Sequence, residues 1–268
     1  MDALDAKQED LFAALREMRS VIVAYSGGAD SAFLAWAAQQ TLGDNAVAIT
    51  ADSASFPESH KRDAEAFALA HGIRQDYVET HEFDNPDYLK NDRNRCFHCK
   101  DELFTRLEEV ARARGIAQVI YGVNLDDLSD YRPGQRAAKL HHVKAPLVEA
   151  GLSKADIREL SRRAGLATWD RPASACLSSR IPYGTPVTIQ NVKTVERGED
   201  SIRALGFRQF RVRFHGEVVR IEIAPEELER ALTPEMARRF TAIFKALGFH
   251  YVTLDLEGYR QGSLNAVL

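Results

Sequence analysis

The chain has 268 residues, with 35 Lys and Arg against 39 Asp and Glu, a formal net charge of −4 and a pI near 6.1. That balance argues against a protein that holds nucleic acid mainly through phosphate contacts, which calls for a basic excess. The length fits one large domain, or a domain of about 170 residues plus a smaller one; no apolar run is long enough to span a bilayer; and three cysteines, an odd number, do not make a disulfide framework.

The opening segment, MDALDAKQEDLFAALREMRS, reads as an amphipathic helix. It lacks the basic start and apolar centre of a signal peptide, so a cytoplasmic location is expected. Val21–Tyr25 is an apolar, β-branched run and a first strand, followed by a helix over Asp30–Leu42. Ala46–Ala51 is a second strand, Pro57–His71 a helix with Pro57 in its first turn, and Ile73–Glu79 a third strand. Arg95–Gly115 is a long helix closed by glycine, and Val119–Val123 a fourth strand. This alternation predicts a parallel sheet with helices on both faces. Asn124–His142, polar and containing Pro133 and Gly134, reads as a long functional loop. Ser153–Gly165 is a helix whose Ser153 and Asp156 fit a capping box.

Thr168–Thr185 has prolines and no clear period, and reads as an active-site loop and hinge. Beyond it the character changes. A helix is expected over Gln190–Leu205, strands over Phe207–Phe214 and Val218–Ile223, helices over Glu226–Leu232 and Pro234–Leu247, and a last strand over Tyr251–Leu256. The expected fold is therefore α/β, a parallel-sheet domain over residues 1–170 with a smaller C-terminal α+β domain over 171–268.

Between the first strand and its helix lies Ser26-Gly27-Gly28-Ala29-Asp30-Ser31. Glycines allow close backbone approach and positive φ. The helix that follows turns free N–H groups and its positive dipole end back on the loop, which favours an anion. Ser26 and Ser31 add hydroxyls. The loop lacks the Lys of GxxxxGK[ST], and GxGxxG is absent. It resembles the SGGxDS loop of the ATP pyrophosphatase (PP-loop) superfamily, of the adenine nucleotide alpha hydrolase type. That resemblance implies that the loop holds the pyrophosphate of ATP, that Ala51 and Ser53 at the end of the second strand contact the nucleotide, and that Gly122 ends a strand beside it. Asp126 and Asp127 are hard-oxygen candidates for Mg²⁺, or else solvated loop carboxylates.

Cys96 and Cys99 form Cys-Phe-His-Cys at a helix start, and Cys176 lies far along the chain. Such a pair can be a redox couple, half a zinc site or half an iron–sulfur site. Cys176 is flanked by Ser174, Ser178, Ser179 and Arg180, a setting that suits a reactive thiol.

Taken together, SGGADS, Asn94-Arg95-Cys96-Phe97-His98-Cys99-Lys100, Tyr131-Arg132-Pro133-Gly134, Trp169-Asp170-Arg171-Pro172-Ala173-Ser174-Ala175-Cys176-Leu177-Ser178-Ser179-Arg180, Arg211-Val212-Arg213 and Gly258-Tyr259-Arg260-Gln261-Gly262-Ser263-Leu264-Asn265 resemble the LarE sulfur insertases over nearly the whole chain. The resemblance implies adenylation of a carboxylate of pyridinium-3,5-biscarboxylic acid mononucleotide, then conversion to a thiocarboxylate, in the pathway that makes the nickel-pincer nucleotide of lactate racemase. It implies ATP and Mg²⁺, Asp30 and Arg180 in the active site, and a sulfur source of one of two kinds. One is a 4Fe-4S cluster on Cys96, Cys99 and Cys176 with an open fourth iron; the other is sacrifice of Cys176. It also implies a phosphate site on Arg211 and Arg213, with Glu199 and Glu222 as the acidic neighbours, partner proteins of the same pathway, and homo-oligomers, hexamers among them. Rival readings are a tRNA thiolase, an ATP-dependent synthetase without sulfur chemistry, and a zinc-held nucleotide sensor.

Overall fold

The computed structural model describes residues 2–129, 133–172 and 175–260. Tyr131, Arg132, Ala173, Ser174 and the Gln261–Asn265 part of the last motif lie outside the described residues. In chain order the first part reads α1 (Ala3–Met18), β1 (Val21–Ala24), α2 (Ala29–Leu42), β2 (Ala46–Asp52), α3 (Glu58–Ala70), β3 (Gln75–Glu79), α4 (Pro86–Leu89), α5 (Arg95–Arg114) and β4 (Gln118–Tyr121). There follow α6 (Pro133–Leu140), α7 (Pro146–Glu149), α8 (Lys154–Arg163), α9 (Ile189–Ala204), β5 (Phe210–His215), β6 (Val218–Ile223), α10 (Leu228–Ala231), α11 (Pro234–Ala246) and β7 (Tyr251–Leu254). Two compact units result. The first comprises Met1–Asn85 and Asn94–Ser174; the second comprises Pro86–Arg93 and Ala175–Leu268.

Among the described residues of the first unit, four parallel strands run in the order β3-β2-β1-β4. Every residue of β1 is buried, as a central parallel strand covered on both faces requires. Its side chains alternate between two cores. Val21 and Val23 pack with Leu11, Leu15, Phe33, Phe67, Ile157 and Leu160, from α1, α2, α3 and α8. Ile22 and Ala24 pack with Phe104, Leu107, Ala137 and Ala138, from α5 and α6. Each fully buried Leu or Phe contributes about 1.5–3 kcal/mol. The strand order reverses beside β1, with β2 on one side and β4 on the other. The loops after β1 and β4 therefore meet at a switch point of the sheet, where ligands of open α/β folds bind.

The stretch Asn124–His142 is not a plain loop. It forms a 3₁₀ turn over Leu125–Ser129 and then α6. Pro133 starts that helix, where its missing N–H is no loss. Gly134 lets it approach α5, since a β-carbon there would lie 2.9 Å from Lys100 Cγ. The box at Ser153 and Asp156 caps α8 reciprocally.

In the second unit, β5 and β6 pair antiparallel and β6 and β7 pair parallel. The strand expected from Phe207 begins at Phe210. The helix expected over Glu226–Leu232 divides into a 3₁₀ turn, Pro225–Glu227, and α10. No helix among the described residues is long and apolar enough to cross a membrane.

Candidate active site

The loop after β1 owes its shape to Gly27. Its φ is +66°, and a β-carbon there would lie 2.8 Å from Cβ of Ala64 on α3. Only glycine fits both conditions. The Tyr25 hydroxyl donates to the Ala64 carbonyl at 3.1 Å, tying the strand end to the same helix. Burial pushes the Tyr25 phenol well above its ordinary pKa, so it remains a neutral donor. Gly28 is the N-cap of α2 and offers no side chain to the first-turn amides. A helix start of this kind favours an anion, with the helix dipole behind it.

The serines brace this turn. Ser31 Oγ donates to the Gly28 carbonyl at 3.1 Å and accepts the Ser26 N–H at 3.2 Å; the two hydroxyls lie 3.0 Å apart. Asp30 sits half-buried in the first turn of α2. Gly122, just past β4, closes the other side. A β-carbon on it would come within 2.8 Å of Ser31 N and 2.9 Å of Ser31 Cα. The structure thus brings Ser26, Gly27, Gly28, Asp30, Ser31 and Gly122 together.

Ala51 is half-buried at the end of β2 and Ser53 is buried just beyond it. Ser53 Oγ donates to Oε1 of the buried Glu82, and Ser55 Oγ donates to the same oxygen at 3.2 Å. Glu82 was not legible in the sequence: His-Glu-Phe-Asp looks like a solvated turn, and only tertiary packing buries it. Its Oε2 has no hydrogen-bond partner. Asp126 is exposed, and its Oδ2 accepts the Lys154 N–H at the start of α8 at 2.8 Å. Asp127 is buried and its Oδ2 accepts the Asn124 N–H at 3.3 Å, closing the 3₁₀ turn.

Cys96 and Cys99 lie at the start of α5, three residues apart and so on one helix face. Cys96 is exposed and Cys99 half-buried, and neither forms a disulfide. The guanidinium of Arg136 stacks on Phe97 between them, 4.1 Å from its centroid. No three Cys, His, Asp or Glu side chains among the described residues are grouped as a metal site requires.

Cys176, in the second unit, caps a 3₁₀ turn over Leu177–Arg180 and is half-buried. Its carbonyl accepts from Ser179 N at 3.0 Å, Ser179 Oγ at 2.7 Å and Arg180 Nη1 at 2.9 Å. Arg180 is buried, and its guanidinium meets Glu199 in a two-point pair, Nε to Oε1 at 2.8 Å and Nη2 to Oε2 at 3.0 Å. Nη1 also donates to the Ala175 carbonyl at 2.7 Å. Burial alone would raise the Glu199 pKa, but the charge and hydrogen bonds of Arg180 outweigh it and hold the carboxyl below its ordinary range. Arg180 thus positions the Cys176 backbone.

Arg211 and Arg213 share one face of β5, on either side of the buried Val212. Arg213 donates to Glu222 at 2.8 Å and to the Ser179 carbonyl at 3.0 Å. Glu222 also takes Arg220 Nη2 at 3.1 Å. Arg211 lies over the ring of Tyr259, 5.0 Å from its centroid. Burial, then the nearby Arg180 charge, pull the Arg211 pKa below that of an ordinary arginine, an environment that an added anion would relieve.

A profile of the NAD synthase family matches residues 12–129, the span holding the β1 loop and the first four strands. An uncharacterised protein of Synechocystis is 45% identical over 99% of both chains. The pyridinium-3,5-bisthiocarboxylic acid mononucleotide synthase of Lactiplantibacillus plantarum is 36% identical over 100% of this chain and 97% of its own. The chain belongs to the LarE family. A third relative, an uncharacterised protein of Methanocaldococcus jannaschii, is 26% identical over 90% of this chain. Membership of the LarE family, with a PP-loop domain of this architecture, makes the chain an ATP-using enzyme.

Proposed function

We propose that this chain adenylates a carboxylate of pyridinium-3,5-biscarboxylic acid mononucleotide at the β1 loop and then converts the activated carboxylate to a thiocarboxylate, in the making of a nickel-pincer nucleotide. The full-length identity to the synthase named above carries this reading. The glycine loop supports the first half-reaction. Backbone N–H groups of α2, with Ser26 and Ser31, bind the β- and γ-phosphates of ATP, and Ala51, Ser53 and Gly122 line the nucleotide. Asp30 and Asp126 would hold Mg²⁺ through carboxylate oxygens, and the ion would offset the charge of the departing pyrophosphate. A substrate carboxylate oxygen attacks the α-phosphorus, and the mixed anhydride offers AMP as the next leaving group.

For the second half-reaction, Cys96, Cys99 and Cys176 would hold a 4Fe-4S cluster. Three cysteines, none in a disulfide, suit such a group by kind. When bound, the cluster would supply the sulfide. The residues of the chain do the remaining work. Arg180 holds the Cys176 backbone, and Arg211 and Arg213 orient the phosphate of the substrate, with Glu199 and Glu222 fixing the neighbouring guanidinium groups. The protein acts on a small nucleotide in the cytoplasm, assembles as a homo-oligomer and hands its product to other proteins of the pathway. A second reading is sacrifice of Cys176, a half-buried thiol whose backbone is held by Ser179 and Arg180. There the Cys176 thiolate displaces AMP, and cleavage of its Cβ–S bond leaves dehydroalanine.

Anaerobic purification with iron and sulfide assay, ATP–pyrophosphate exchange dependent on the dicarboxylate, and protein mass after turnover test the proposal. Iron with an intact mass favours the cluster; loss of one sulfur from Cys176 favours sacrifice. Cys96→Ala, Cys99→Ala and Cys176→Ala should each keep exchange and lose thiocarboxylate. Asp30→Ala should lose exchange itself. Exchange that ignores the dicarboxylate would refute the substrate, and full sulfur transfer by Cys176→Ala would refute both sulfur routes.

A further inference from the structure

Arg171 follows α8 in the chain, and its guanidinium is held between two other parts of the first unit. Nη1 donates to the Gly27 carbonyl at 2.9 Å, and Nη2 donates to the Asp63 carboxylate on α3. Its backbone is fixed as well. Arg158 Nη2 on α8 donates to the Arg171 carbonyl at 3.0 Å, and the Arg171 N–H donates to the Thr168 carbonyl at 3.2 Å. Only 20% of the side chain is exposed, so the guanidinium is held in place and poorly screened.

The contact with Gly27 bears on the anion cradle. The Gly27 carbonyl and the Gly28 N–H belong to one planar trans peptide, so they point in opposite directions and move together. With glycine on both sides, this peptide has the least intrinsic constraint of any in the loop. Inside the loop its N–H has only a long hydrogen bond to Ser26 Oγ, at 3.5 Å, so the shorter outside bond on the carbonyl dominates its orientation. A charged donor on the carbonyl also polarises the amide and strengthens the N–H on its far side.

We infer that Arg171 is a positioning residue of the phosphate cradle: through the Gly27–Gly28 peptide it aims and strengthens the Gly28 N–H for the pyrophosphate portion of ATP. The inference rests on the reading of the β1 loop as the pyrophosphate site. Asp63 has a supporting part, since it holds the guanidinium at the loop without touching the ligand.

Calorimetric affinities of the full chain for ATP, pyrophosphate and AMP test it. The wild type should prefer ATP to AMP. Arg171→Met should weaken ATP and pyrophosphate about tenfold, the usual effect of losing a hydrogen bond from a charged donor, while AMP, which lacks the pyrophosphate, is unchanged. A purely structural strap would weaken all three alike. Arg171→Lys, whose single ammonium cannot bridge Gly27 and Asp63, should lose roughly threefold on ATP and nothing on AMP; it carries the test where Arg171→Met fails to fold. Equal losses for all three ligands, or undiminished ATP binding by a folded variant, overturn the inference. A wild type that shows no preference for ATP over AMP and no pyrophosphate binding overturns the cradle reading, and the inference with it.

Discussion

Replacing Arg180 with Met removes one half of a buried ion pair and leaves the other in place. Arg180 is 1% exposed and Glu199 4% exposed, so neither charge is served by water. Breaking such a pair from one side costs about 3–5 kcal/mol, because a charge remains buried without its partner. The Cys176 carbonyl keeps its two Ser179 donors, and Ala175 is exposed, so the orphaned carboxylate accounts for most of that cost. The pH dependence follows from the sign of the shift. In the wild type the Glu199 pKa is lowered from 4.5, so the pair contributes its full stability above that value and loses it as pH falls through the folded pKa. In Arg180→Met, burial is opposed only by the Arg211 charge and by the Val212 N–H, which donates to Glu199 Oε1 at 3.2 Å, and the folded pKa rises. The stability gap is then widest at neutral pH and closes on acidification. Urea unfolding followed by far-UV circular dichroism reads it; fluorescence does not, because Trp36 and Trp169 both belong to the first unit. Arg180→Met with Glu199→Leu should regain most of the loss, since no charge is left behind. A loss below about 1 kcal/mol, or one that is the same at pH about 8 and about 4, would refute the reasoning.

Gly27→Ala forces a positive φ on a residue with a β-carbon and drives that carbon into Ala64, so exchange of ATP with pyrophosphate should fall at least about a hundredfold with the sheet intact by circular dichroism. Asn91 is fully buried and its Nδ2 donates to the carbonyls of Ile181, Pro182 and Thr185. Asn91→Ala should therefore cost about 3 kcal/mol in urea unfolding, and a change below a few tenths would show that water replaces it. Glu82→Gln keeps the size of the side chain but offers Ser53 and Ser55 a weaker acceptor. ATP affinity should drop about threefold to tenfold by calorimetry if Ser53 contacts the nucleotide, and stay fixed if it does not.

The sheet was readable because β1 and β2 are short apolar runs, each followed by a helix-forming segment, α2 buried nearly all round and α3 buried along Ala64, Phe67 and Ala68. The box at Ser153 and Asp156 and the stop at Gly115 are local signals, and both are present. Pro133 and Gly134 misled, since the pair spells a turn; here Pro133 opens α6 and Gly134 makes room for Lys100, and neither role is visible without α5. The loop SGGADS was legible because its chemistry is backbone chemistry over a few consecutive residues. Glu82, Arg158 and Arg171 as a loop anchor were not, since each acts across elements. The same holds for Arg180: beside Cys176 it read as an active-site residue, and the partner that engages it, Glu199, lies on another element.

This difference in construction separates the two half-reactions of the proposed function. The nucleotide cradle is made mostly of amides whose directions are set by two glycines, a helix end and one guanidinium, so it is sensitive to an added methyl group and tolerant of changes at the cysteines. The sulfur step depends on thiols that no backbone group can replace. It also needs AMP as leaving group, so it cannot run without the first step, whereas the first can run without it. Blocking the cradle should therefore silence both steps, and removing a thiol only the second. It follows that Gly27→Ala combined with Cys176→Ala should behave as Gly27→Ala alone in pyrophosphate exchange and, like Cys176→Ala, form no thiocarboxylate. A double variant that exchanges pyrophosphate faster than Gly27→Ala would mean that Cys176 acts on the adenylation step itself, and the order of the two steps would have to be redrawn.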